Sequence, residues 1–365
     1  MRVLILISLL FPLAAGALAR GISARVEPRL ATWLMAGAAL LLAGTSCGAL
    51  GLLVLSPLVR MPWLAGLGHW SSTIVADAGL PGGWTSLVAA VALGAAVLAT
   101  LAFAVRRGRA LADVRRHARA LPGDGGELVV TGDAAADAYA VPGRPGRIVV
   151  STGMLDVLDD LGRTALLAHE RAHLNARHHW FTAAARLAAA ANPLVRPLAS
   201  AVEYAVERWA DESAASAVGD RQLVARAIAS AAIAAKATKA TPARTGAFGM
   251  LGGARDALSG RELWRGLFGR VGTWLGLRRR DGLAGTGTRA QRDSQAGTGA
   301  RRDRLAGAGP VPRRVAALLA PAPTRRGGLP AIAASLIFLG AAALCAMLAA
   351  DHLQDLISFA HASAN

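Results

Sequence analysis

The chain has 365 residues, of which 54% are hydrophobic and only 17% charged; the mean hydropathy is +0.40, yet the formal net charge is +17. Soluble domains carry roughly a quarter charged residues, so an ordinary soluble globule is excluded, and two cysteines exclude a disulfide scaffold. A nucleic-acid-binding domain as the main identity fits poorly as well, because 19 basic against 5 acidic residues fall between 236 and 330 and most of the remaining excess flanks apolar runs.

A helix of about 20 apolar residues crosses a hydrocarbon core about 30 Å thick. Four uncharged stretches suit that length: Val3 to Ala19, Trp33 to Leu55, Ser86 to Val105 and Leu329 to Ala350. The first also reads as a cleaved signal sequence, since Ala17-Leu18-Ala19 offers small residues at a suitable place. Arg20, Arg25 and Arg29 behind it look more like a cytoplasmic loop than a mature N-terminus. Short loops rich in Lys and Arg stay cytoplasmic. The loop from Ser56 to Thr85 has only Arg60 against Asp77. Six arginines from Arg106 to Arg119 follow the third span, Arg325 and Arg326 precede the fourth, and Asp351 and Asp355 follow it. These flanks agree on an outside N-terminus, a cytoplasmic segment from about 106 to 328 and a short outside C-terminus.

Within that segment, β-like runs at Glu127 to Thr131, Ala138 to Val141 and Arg147 to Ser151 are separated by Gly and Pro turn signals. Alanine-rich helices are expected from about Thr164 to Arg177, Trp180 to Ala191 and Leu198 to Val218, with Asn192-Pro193 breaking the second from the third. From about Thr238 to Gly328 the sequence turns to Gly, Arg, Thr and Ala. Ala284-Gly-Thr-Gly287, Ala296-Gly-Thr-Gly299 and Ala306-Gly-Ala-Gly309 recur there between RD-containing polar runs, which predicts a low-complexity linker. Trp264, Leu267, Phe268, Val271, Trp274 and Leu275 interrupt it at helical spacing, with arginines largely elsewhere around the helix. Such a helix suits either an anionic inner leaflet or packing on the domain before it.

The run Leu166-Leu-Ala-His169-Glu170-Arg-Ala-His173-Leu174 carries the chemistry. On a helix, His169 and His173 share a face and can present two imidazoles to one Zn²⁺, while Glu170 reaches the metal's water. A solvated helix carrying these residues without a metal sits poorly with the alanine and leucine around them, where charged groups are costly without a partner. A hydrolytic zinc site takes three protein ligands and leaves one position open. Glu203, Glu207 and Asp211 share one face of a later helix, and Glu207 begins an E-x-x-x-D unit 34 residues after His173. There Glu207 would bind the zinc and Asp211 would hold a zinc imidazole through its second nitrogen, with Glu203 alongside. An acidic stripe that is merely solvated is the alternative. His178 and His179 rotate off the ligand face, and His69, His117, His352 and His361 have no companions. Cys47 and Cys345 lie inside spans and read as small apolar residues.

With these motifs the chain resembles the membrane zinc metallopeptidases of the BlaR/MecR antirepressor type and, more distantly, the HtpX-like and CAAX-prenyl peptidases. Asn192-Pro193-Leu194, the pair Asp137-Ala-Tyr-Ala-Val-Pro-Gly143 and Ile148-Val-Val-Ser151, and Arg314-Val-Ala-Ala-Leu318 before the last span add to the likeness. It covers roughly 120 to 235 and the membrane layout in outline. The helix before the motif departs from it with Gly162-Arg163 where an acidic residue is usual. The chain ends 15 residues after Ala350, so a peptidase without the extracellular penicillin-binding sensor is expected.

The resemblance implies an α+β, mostly helical multi-pass membrane protein with about four transmembrane helices. Its cytoplasmic, gluzincin-like zinc peptidase domain would carry a small β-sheet. The expected division is 1–110 for three transmembrane helices, 111–235 for the peptidase, 236–328 for the linker with an amphipathic helix near 261–277, and 329–365 for the fourth span and tail. It also implies a substrate edge strand at Tyr139, Ala140 and Val141, where a peptide binds through its backbone. The implied activity is metal-assisted peptide hydrolysis with Glu170 as the base. The substrate would be a cytoplasmic protein, a transcriptional repressor or the chain's own Arg-rich linker, cut in signal transduction. Its partners are then that substrate, the repressor and the lipid bilayer, with no direct nucleic acid. The other class of reading is a membrane receptor or scaffold that keeps the fold without turnover. Intact Glu170 with all three ligands favours the enzyme.

Overall fold

The computed structural model of the chain describes residues 2–69, 71, 83–120, 126–240, 309–321 and 328–363. The amphipathic helix expected near 261–277 and the polar repeats from 284 to 308 lie outside the described residues, as do Arg325 and Arg326.

Among the described residues, four helices are long and apolar enough to cross a membrane: Val3–Arg25, Pro28–Leu58, Trp84–Ala120 and Leu329–Ala362. Each contains one of the uncharged stretches and runs past it. The first is two helices, α1 (Arg2–Leu10) and α2 (Ala15–Arg25), joined by a 3-10 turn at Phe11–Ala14. Pro12 causes the break, having no N–H to continue the helical ladder. α3 (Pro28–Leu58) opens on a proline whose fixed φ suits a first turn, and the short α4 (Pro62–Gly68) follows. α5 (Trp84–Ala120) continues beyond its apolar part through Arg106 to Ala120, with no proline before Pro122 to stop it. Trp33, Trp63 and Trp84 are all more than half exposed at the ends of these helices, where amphipathic indole rings suit a membrane–water boundary.

Then come strands β1 (Leu128–Thr131), β2 (Ala138–Val141) and β3 (Arg147–Ser151). Helices α6 (Thr152–Val157), α7 (Asp160–Asn175), α8 (His178–Ala191), α9 (Arg196–Val218), α10 (Arg221–Ala240) and α11 (Pro310–Leu319) follow, and the last helix is Leu329–Ala362. The strand positions agree with the sequence to within a residue, and the result is the mostly helical architecture with a small three-stranded sheet that the sequence predicts. By contacts the chain falls into two units. Residues 1–105, 177–209 and 323–365 make one, and residues 106–176 and 210–322 the other.

The first unit is built around small side chains. Ala15, Ala19 and Ile22 of α2, Ala31, Met35, Ala39 and Leu42 of α3, Ala185, Ala188 and Ala189 of α8 and Leu198 and Val202 of α9 form one buried cluster. Alanine on each facing helix lets backbones approach closely, which is how helices associate where lipid removes any hydrophobic gain. The Asn192 amide ties the α8–α9 turn to α3, its Nδ2 donating to Ser46 Oγ at 3.0 Å, while its Oδ1 accepts from the Leu194 N–H at 3.0 Å. Residues 177–209, which the sequence places within the peptidase segment, thus group by contacts with the span helices.

The second unit holds the sheet, in the order β1-β3-β2, with β1 parallel and β2 antiparallel to β3. Ile148, Val149, Val150 and Ser151 of the central strand are all completely buried, as a strand covered on both faces must be. Ile148 and Val150 pack with Ala138, Met154 and Leu158 against Leu166, Leu167 and Leu174 of α7. Val149 packs with Val129, Val141 and Tyr139 against Val114 and Ala118 of α5. Ser151 Oγ closes the strand end twice over, accepting from the Met154 N–H at the start of α6 (3.1 Å) and from the Asp137 N–H ahead of β2 (2.9 Å). Asp159 caps α7, accepting from the Gly162 N–H at 2.7 Å, an interaction worth about 1 kcal/mol. On the far side, Ala165 of α7, Ala214 and Ala215 of α9, Val224 and Ala225 of α10 and Leu318 of α11 form a second small-residue cluster.

Candidate active site

Helix α7 carries His169, Glu170 and His173 on its second half, and α9 carries Glu203, Glu207 and Asp211. The division between the two contact units falls after Trp209, inside the unbroken α9, so helix continuity sets Glu207 one turn ahead of Asp211. The result is a compact group: one ligand atom from each of His169, His173 and Glu207 lies within 4.8 Å of the others. The Nε2 atoms of His169 and His173 are 3.1 Å apart. Two nitrogens on a tetrahedral zinc, each at about 2.0–2.1 Å, would lie roughly 3.3 Å apart. Two imidazoles and one carboxylate are the donor set of an open, hydrolytic zinc site, so the residues present fit that ion.

Asp211 faces the Nδ1 edge of the His169 ring. Its Oδ1 lies 3.1 Å from His169 Nδ1, a position to accept the Nδ1 proton and leave the Nε2 lone pair facing His173. Asp211 is only 1% exposed and His169 8%. The guanidinium of Arg314, on α11, engages the same carboxylate, with Nε donating to Oδ2 at 2.8 Å and Nη2 to Oδ1 at 2.6 Å. Burial opposes ionisation of Asp211, but the hydrogen bonds from Arg314 and His169, together with the guanidinium's charge, outweigh it and hold the carboxyl below the usual carboxylate range.

Glu170 follows His169 on α7 and is buried, at 8% exposure. Glu203 is placed differently from Glu207 and Asp211: its carboxylate pairs with Arg186 of α8 and clamps the α8–α9 hairpin. His178 is buried against the Trp209 ring, with centroids 4.6 Å apart, and Phe181 and the Arg29 guanidinium approach the same indole. Tyr139 packs its ring among Val114, Ala118 and Val149, while the backbone of β2 forms an edge of the sheet, with α7 packed beside it. Asp137 O accepts from Ser151 N–H at 3.0 Å. The antiparallel alternation that follows turns Tyr139 and Val141 toward β3 and the backbone groups of Ala140 outward. The Arg314 contact is the part of the site that spacing rules miss. It lies 103 residues beyond Asp211, and the sequence marks it only through the run Arg314-Val-Ala-Ala-Leu318 that adds to the family likeness, with no hint of its partner.

A family model described as peptidase family M48 matches residues 106–192. Comparison with curated proteins and with solved structures gave no match. The matched stretch runs from within α5 through the three strands and α7 to the end of α8. It takes in His169, Glu170 and His173 and stops short of Glu207, Asp211 and Arg314. Peptidases of this family are zinc metallopeptidases, and with four span-length helices in the same chain the match supports a membrane-associated metallopeptidase.

Proposed function

We propose that the chain is a membrane-embedded zinc endopeptidase that cleaves a cytoplasmic protein. The observation that carries this reading is the group His169, His173 and Glu207, beside a buried Glu170. His169, His173 and Glu207 would hold the zinc. When bound, the ion supplies the Lewis acidity that acidifies a water molecule and polarises a peptide carbonyl. Glu170 takes the proton of the attacking water at its carboxylate and passes it to the leaving amine. Asp211 keeps the Nδ1 proton on His169 and so aims the ring.

The peptide enters along β2. Ala140 offers its N–H and C=O, so recognition runs through the backbone and demands little of the substrate's side chains. Ala140→Pro removes the outward N–H at an edge position that tolerates proline, and should raise KM for an unfolded protein substrate roughly tenfold with zinc content unchanged. An unaltered KM would remove β2 from the substrate path.

The arginines after the third apolar stretch support a cytoplasmic location for residues from about 106 to 328. The substrate is a cytoplasmic protein in a signalling step, a transcriptional repressor or the chain itself. Single cysteines introduced at Arg144 and Asp156, in a background without Cys47 and Cys345, should react with a membrane-impermeant maleimide only after cells are opened. Labelling of intact cells would reverse the orientation.

A further inference from the structure

Arg314 is tied to the site in a way that charge pairing alone does not require. Its fork meets Asp211 with two parallel hydrogen bonds, 2.8 Å and 2.6 Å long, and the two side chains are 12% and 2% exposed. Oδ1 of the same carboxylate faces His169 Nδ1 at 3.1 Å. A dry carboxylate held only by the imidazole could turn about its own axis and carry the imidazole with it. A planar guanidinium bonded to both oxygens fixes that plane, which a point charge does not.

The helix that delivers Arg314 is fastened separately at its other end. Arg221 of α10 donates from Nε to Leu318 O at 3.0 Å and from Nη2 to Ala317 O at 2.9 Å, and it pairs with Glu212, the residue after Asp211. Leu318 itself is 2% exposed in the cluster with Ala214 and Val224. The two attachments allow the effect of holding α11 in place to be separated from the effect of the guanidinium on Asp211.

We infer that Arg314 is a positioning residue of the metal site: its two-pronged contact fixes the plane of Asp211, which in turn aims His169 Nε2 toward His173 and Glu207. The inference rests on the zinc-peptidase reading. Outer partners of a metal-binding histidine are worth 10–100-fold in affinity, and Arg314 acts one step further out. In the full-length protein, Arg314→Gln should weaken zinc binding about tenfold by chelator competition and alter the visible absorption of the cobalt-substituted site. It should also lower kcat with little change in KM. Arg314→Lys keeps the charge without the fork and should fall between wild type and Arg314→Gln. Arg221→Gln frees the far end of α11 without touching Asp211 and should hold zinc as the wild type does.

Wild-type zinc affinity and cobalt spectrum in Arg314→Gln would overturn the inference, as would an equal loss in Arg221→Gln. If Arg314→Gln does not fold, Arg314→Lys decides: weakened zinc binding supports the proposed role, and wild-type affinity overturns it. A wild-type chain that takes up no zinc would overturn the peptidase reading and this inference together. A zinc-loaded wild type beside an indifferent Arg314 variant overturns the inference alone.

Discussion

Glu170→Gln is expected to slow cleavage of an unfolded protein between about a hundredfold and ten-thousandfold, the range that a positioned acid–base group contributes. The change is nearly isosteric on a residue 8% exposed, so α7 should keep its packing. The three metal ligands are untouched, and the variant should carry as much zinc as the wild type. What it loses is the capacity to accept a proton from water and return it to the leaving amine, since a carboxamide does neither at neutral pH. The same variant identifies the substrate, because protein fragments present in cells with the wild type and missing with the variant are its products. Cleavage at the wild-type rate would remove Glu170 from the mechanism, whereas a wild type that holds no zinc and cleaves nothing would favour the non-catalytic receptor.

Glu207→Gln should act on the other half of the site. A neutral amide replaces the only anionic ligand of the group, and two histidines are one ligand short of a hydrolytic zinc site. Zinc affinity should fall by more than the roughly 10–100-fold that outer partners are worth, and cleavage should go with it. The variant is informative because Glu207 lies outside the stretch matched by the family model and is tied to the histidines only through the course of α9. Retention of zinc with wild-type affinity would mean that another group supplies the third ligand. The contrast between the two variants, one keeping zinc without turnover and the other losing both, separates the base from the ligand.

Much of this arrangement can be read along the chain where the determining interactions are local. Charge-free runs marked the span helices, since any charged residue there would be costly. The β2 and β3 boundaries follow turn signals at Pro142, Gly143 and Pro145, and Asn192-Pro193 marks the break between α8 and α9. α7 begins at Asp160, four residues before the start near Thr164 that the sequence suggests. Asp159 and Asp160 look like loop, but Asp159 is the cap. What local pattern could not supply is the pairing of distant surfaces. The face of α8 does not say which helix covers it, so its packing on α3 through Ala185 and Ala188, and the bond from Asn192 to Ser46, 146 positions away, cannot be paired from the sequence. For the site, the spacing of His169, Glu170 and His173 sufficed because one helix holds them. Glu203 shares the helical face of Glu207 and Asp211, yet turns to Arg186, a partner that spacing on one helix cannot reveal. The Arg314 contact depends on a helix that follows α10 by about 70 residues in the chain.

The most direct test of the zinc-peptidase claim is the zinc content of the full-length chain purified in detergent, measured on the preparation whose cleavage of an unfolded protein is assayed. The expected result is one zinc per chain in an active wild type, one in an inactive Glu170→Gln and less in an inactive Glu207→Gln. A wild type that cleaves without zinc, or that holds none under conditions where Glu170→Gln also holds none, would contradict the account.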